Sequence, residues 1–162
     1  MLTAIPEGDP PGPADGARSQ WAVGGPDDLA PVRASISSLT KQSPATPVAP
    51  VLASVAERLA VVFSELATNA LRHGAPPVSA TAYRSIRGWV VIVSDAQGSA
   101  PPTLREPYPQ GGHGLRLIKQ LAHGVGWCRA GTAKQVWAEV GLEPPGDMMR
   151  RLTTNGSVSA TP

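Results

Sequence analysis

The sequence predicts an α+β domain, a two-layer sandwich with helices on one face of a mostly antiparallel sheet. Three observations carry this. Val51 to Leu71 is free of proline and repeats apolar residues at helical spacing. The segments 78–87 and 89–95 read as two strands joined by a turn at Gly88. A second pair, 125–130 and 134–140, reads as a closing hairpin around Gly131-Thr132. Helices and strands come in blocks, and no internal repeat is present.

The bulk properties narrow the function. At 162 residues the chain is one domain long, with enough length for a real core. Its net charge of +2 argues against binding to a nucleic-acid backbone. The single cysteine, Cys128, forms no internal disulfide and falls in a predicted strand as a small core residue. Met1 to Gly16 lacks the basic region and apolar run of a signal peptide. No apolar run is long enough to cross a bilayer, so a cytoplasmic protein with no membrane partner is expected.

Along the chain, residues 1–18 are rich in Pro, Gly and Asp and are expected to be disordered. Ser19 to Gly24, with Trp21 and Val23, reads as a short first strand. Pro26-Asp27-Asp28 reads as a helix start, and Leu29, Val32, Ile36 and Leu39 continue at helical spacing. Lys41 to Pro50 is a proline-punctuated loop. In the long helix that follows, Leu52, Val55, Leu59, Val62, Phe63, Leu66 and Ala70 form one apolar stripe. His73-Gly74 ends it and Pro76-Pro77 prevents its continuation. Val78, Ala80, Ala82 and Ile86 then face one way in a half-buried strand, with Ser79, Thr81, Tyr83 and Ser85 facing the other. Trp89 to Val93 is β-branched and more central, and runs into Ser94-Asp95. Residues 96–112 have no periodicity and many glycines and prolines, the character of a lid. A helix begins at Gly114 with Leu115, Leu117, Ile118 and Leu121 at helical spacing, and all four tryptophans lie in predicted strands. Residues 143–162 are expected to be a disordered tail, which leaves 19–142 as the folded domain.

Three features have chemical potential. Glu65, Asn69 and Arg72 follow one another at i+4 and i+3 along the flank of the apolar stripe. On periodicity alone they are either a solvated flank or a line of acid–base, metal-binding and phosphate-binding groups. Asp95 sits at the mouth of a hydrophobic strand, followed by Gly98; it is either a turn-former or a ligand. Gly111-Gly112-His113-Gly114 feeds a helix N-terminus, either as a simple helix start or as an anion site.

In this order and spacing the three features resemble the N box and the two glycine boxes of the GHKL, or Bergerat-fold, ATP-binding superfamily. Ser64-Glu65-Leu66-Ala67-Thr68-Asn69-Ala70-Leu71-Arg72-His73-Gly74 resembles the N box of its small anti-sigma-factor serine/threonine kinases. Gly111 to Ile118 resembles the second glycine box, and Lys134 to Glu139 the last strand. The first glycine box departs from the superfamily's Asp-x-Gly-x-Gly: here it reads Asp95-Ala96-Gln97-Gly98-Ser99.

The resemblance implies a Bergerat-type sandwich that binds ATP with Mg²⁺. It implies that Asn69 gives its oxygen to the magnesium and that Asp95 accepts from the adenine amine. It implies that Gly98 lets the backbone approach the base, that Gly112 and Gly114 wrap the phosphates, and that Arg72 touches phosphate. Glu65 is implied as the general base, polarising water or a partner's serine hydroxyl. The implied partners are a sigma factor and an anti-anti-sigma protein of the STAS type, with a homodimer as related regulators often form. The shortened first glycine box keeps a second reading open, a non-catalytic partner-binding module of the same fold.

Overall fold

A computed structural model of the chain describes residues 5–42, 49–98, 102 and 114–142. In chain order the elements are β1 (Ser19–Ala22), a 3₁₀ turn (Pro26–Asp28), α1 (Leu29–Lys41), α2 (Ala49–His73), β2 (Ser79–Arg84), β3 (Gly88–Asp95), α3 (Gly114–Leu121), β4 (Gly124–Ala130) and β5 (Ala133–Gly141). The strands form one sheet in the order β1-β2-β3-β5-β4, and every neighbouring pair is antiparallel. Helix α2 packs on β3 and β5, with α1 and α3 against it. This is the predicted two-layer sandwich, and its elements follow the expected order.

The inner face is built by periodicity. Val55, Leu59, Val62, Phe63, Leu66, Ala67 and Ala70 of α2 are buried along one stripe. They meet Ala80 and Ala82 of β2, Val91 and Val93 of β3, and Val136, Ala138 and Val140 of β5 in a single cluster. Each alternates with an outward neighbour, as a pleated strand requires. Full burial of a Val, Leu or Phe side chain contributes about 1.5–3 kcal/mol, so this stripe fixes which way α2 faces. Arg58 ties the helices to the sheet: its guanidinium donates to the carbonyl of Gly141 at 2.8 Å and burial pushes its pKa down.

Three local expectations differ from the structure. Helix α2 begins at Ala49, so Pro50 sits in its first turn instead of in the preceding loop; proline is tolerated there because a first-turn N–H has no intrahelical partner. Strand β2 stops at Arg84, and Ile86 is 93% exposed instead of facing the core. The Ser85 N–H donates to the Gly88 carbonyl at 2.9 Å, which closes a turn and leaves Ile86 at its tip.

The third difference is the N-terminal segment expected to be disordered. Residues 5–16 lie across the sheet. The Trp127 N–H donates to the Pro6 carbonyl at 3.0 Å and the Gly8 N–H to the Trp127 carbonyl at 2.8 Å, so this segment pairs with β4, an edge strand. It then crosses to β2: Trp137 Nε1 donates to Gly8 (2.7 Å), the Tyr83 hydroxyl to Pro11 (2.5 Å) and the Ala14 N–H to Arg84 (2.8 Å). The composition lacks the apolar residues for a core of its own. It is held at its start by Ile5, buried in the inner cluster, and beyond that over the outer face of the sheet, which carries Tyr83, Val90, Ile92 and Trp137, a second apolar cluster. The C-terminal tail, 143–162, lies outside the described residues.

Candidate functional site

The C-terminal half of α2, the end of β3 and the start of β5 converge on one cavity of about 70 Å³. Its apolar lining is Leu66 and Ala70 from the helix, Val93 and Val136 from the strands, and Pro102. Its polar lining is Asn69, His73, Asp95, Gln97 and Lys134. Polar and apolar side chains thus share the lining about equally, with the polar groups converging where the helix end meets the ends of the two strands. Helical spacing places Asn69 above the slot, one turn beyond Glu65. Antiparallel register places Asp95 directly opposite Lys134.

Asp95 is the anchor, at 2% exposure. Its Oδ1 accepts from the Gln97 N–H at 2.8 Å and, at 3.5 Å, from the Ala75 N–H. Its Oδ2 lies 3.3 Å from Lys134 Nζ. A buried carboxylate needs such partners, since an uncompensated charge in the interior is costly. Gly74, which ends α2, makes the fit possible: a Cβ there would sit 2.6 Å from the Asp95 carboxyl carbon and from the Ala70 carbonyl oxygen. The Ala96 N–H then donates to Ala75 at 2.8 Å and fixes the chain leaving β3 against the chain leaving α2.

A second contact joins the helix flank to α3. Glu65 projects towards Gly114, the first residue of α3: a Cβ there would lie 2.5 Å from Glu65 Oε2. A side chain at 114 would push the flexible end of Glu65 away from this helix start. Beside Glu65, Ser64 accepts from Arg33 of α1 at 3.3 Å while donating to the Ala60 carbonyl at 2.8 Å.

The structure thus brings Asn69 and Asp95 together at the cavity and Glu65 together with Gly114. Arg72 is exposed in the last turn of α2 and is not among the cavity-lining residues, whereas His73 is. Gly98 packs on the hairpin turn, where a Cβ would come 2.3 Å from the Thr132 carbonyl oxygen. Gly112 and most of the expected lid lie outside the described residues; of 96–112, positions 96–98 and 102 are described. Reasoning from sequence did not single out Lys134, His73, Gln97 or Pro102 as site residues. For Lys134 a signal existed: a lysine at the start of an otherwise alternating strand, opposite Asp95 once the hairpin register is counted.

Among the described residues, no three His, Cys, Asp or Glu side chains gather as a metal cluster. A hard cation here would draw on Asn69 and on oxygens of a bound molecule and water, a pattern that suits Mg²⁺. Also among the described residues, no helix is long and apolar enough to cross a membrane.

The family model described as histidine kinase-like ATPase domain matches residues 25–140, from the 3₁₀ turn before α1 to the end of β5. A search of the curated proteins found no match.

Proposed function

The chain belongs to the histidine kinase-like ATPase domain family, and from that premise we propose that it is an ATP-dependent serine/threonine protein kinase that also sequesters a sigma factor in the cytoplasm. Its phosphoryl acceptor would be a serine of an anti-anti-sigma protein of the STAS type. Family membership itself gives the coarser statement, an ATP-binding regulatory domain of the GHKL type. The observation that carries the finer one is the pairing of two functions on one helix edge. Asn69 lines the Asp95 cavity, and Glu65, one turn away, meets the start of α3.

Each residue then has a role. Asp95 accepts from the base, held in place by Gln97 and Lys134. Leu66, Ala70, Val93 and Val136 flank the base and exclude water from it. Asn69 would hold Mg²⁺, which when bound neutralises phosphate charge. Glu65 takes the proton from the attacking serine hydroxyl as the serine oxygen bonds to the terminal phosphorus of ATP, the bond from that phosphorus to its bridging oxygen breaks, and ADP leaves. Phosphoryl transfer needs mostly positioning and charge stabilisation, and general-base help is typically worth about 10²- to 10⁴-fold.

Two measurements test this. Mg-ATP titrated by calorimetry should bind the chain, and Asn69→Ala should abolish the magnesium-dependent part. Radiolabelled phosphate should pass from ATP to a partner serine, slowed by about 10²-fold or more in Glu65→Ala with ATP affinity retained. Equal loss of ATP affinity in Glu65→Ala would sink the base assignment.

A second reading is favoured by two features of the shortened glycine box. Gly98 is occupied by Thr132, and Asp95 is already ion-paired. In that reading the fold captures a partner without turning over nucleotide. Absence of any binding heat with Mg-ATP would favour it.

A further inference from the structure

The role given above to Lys134, holding Asp95, accounts for only part of that side chain. Lys134 is 7% exposed, and its one partner among the described residues is Asp95 Oδ2. An ammonium group carries three donors. Buried charged donors ordinarily find partners, because leaving them unmade is costly. Lys134 faces the cavity, between Val136, its neighbour two residues along the strand, and Asp95 across the ladder. The unused donors are therefore available to whatever fills the slot.

We propose that Lys134 is a nucleobase-reading residue, donating to the ring-nitrogen acceptor of an adenine while Asp95 accepts from the exocyclic amine beside it. This rests on the reading of the cavity as an ATP site. The chemistry matches in order: a donor and an acceptor stand side by side at 3.3 Å, and the adenine edge presents an acceptor and a donor side by side. Asp95 retains capacity for the second bond. A carboxylate offers about four lone-pair directions, and the described contacts use three, from Gln97, Ala75 and Lys134. A carboxylate alone would read only the amine. The pair reads two atoms and fixes the base in one orientation.

The alternative is a purely structural ion pair that pins β3 to β5. A chemical cycle separates the two. Binding of Mg-ATP and of Mg-1-deaza-ATP, in which the ring nitrogen is a C–H, is measured calorimetrically on the full chain and on Lys134→Met. The native chain should bind 1-deaza-ATP about tenfold to a hundredfold more weakly than ATP, the usual worth of a hydrogen bond to a charged group. In Lys134→Met the two nucleotides should bind alike. A structural lysine would weaken both equally and leave their ratio unchanged, which overturns the proposal. Equal binding of the two nucleotides by the native chain also overturns it, whether or not the variant folds. Binding of ATP with no dependence on the ring nitrogen defeats only the role of Lys134. No binding of ATP defeats the nucleotide reading as well.

Discussion

The two faces of the sheet are apolar for different reasons and are covered in different ways. The inner face meets α2 through regular stripes, with Phe63, Leu59 and Val62 fully buried against β3 and β5. The outer face holds Tyr83, Val90, Ile92 and Trp137, and is covered by an irregular proline-rich arm attached through single hydrogen bonds. One covering is made by packed volume and the other by a few polar ties over aromatic rings. The cavity opens on the packed side, where position is fixed most tightly. Most of the arm lies on the other side, while Ile5 at its start is buried in the inner cluster.

That contrast predicts unequal costs. The largest belongs to the inner face: Phe63→Ala removes a fully buried ring and should destabilise the fold by about 3–5 kcal/mol, read as a lower midpoint in urea. The variant should also bind nucleotide poorly, because Leu66 and Ala70 of the same helix line the cavity. Removing residues 1–16 takes away one buried core side chain, Ile5, along with the polar ties; it should cost less and leave the cavity in place. Mg-ATP affinity should stay within about twofold, while the uncovered aromatic face should drive concentration-dependent association, visible by light scattering. A large loss of nucleotide affinity on arm removal would show that the two faces are coupled and would break the comparison.

The same contrast explains what could be read in the sequence. Periodicity is a local signal, so α2, β3 and the β4–β5 hairpin were evident from neighbouring residues. Glu65 with Asn69, and Asp95, were evident because helical spacing and a strand end are local as well. The arm was not, because its order comes from partners far along the chain: Gly8 holds Trp137 and Pro11 holds Tyr83. Its proline content suggested a segment unable to bury apolar area. The needed signal was in β2, β3 and β5, whose outward positions are too apolar to face water alone. Lys134 was missed for a related reason. Its meaning depends on register with Asp95, and no spacing within one strand reveals that. Ile86 was misplaced because alternation was carried through a turn that Ser85 had already closed.

The smallest effect sharpens the comparison most, because it isolates one tie of the arm. Tyr83 donates to the Pro11 carbonyl and stacks under the Arg18 guanidinium, 4.9 Å from its ring centre. Tyr83→Phe keeps the ring and removes the donor, so it should cost about 0.5–1.5 kcal/mol. The pH dependence gives the tie a signature. Burial pushes the Tyr83 pKa above its ordinary value, opposed by Arg18 and assisted by Glu139 and Cys128. A group whose pKa is raised by folding holds its proton more tightly in the folded state. Its contribution is fully present below the ordinary tyrosine value near 10 and fades as pH rises through the raised one. Native protein should therefore lose stability in that alkaline window, and Tyr83→Phe should lose less over the same range. Parallel stability curves for the two proteins between neutral and alkaline pH would mean that the tie to Pro11 holds nothing, and that the arm rests on its β4 edge contacts and on its ties to Trp137 and Arg84.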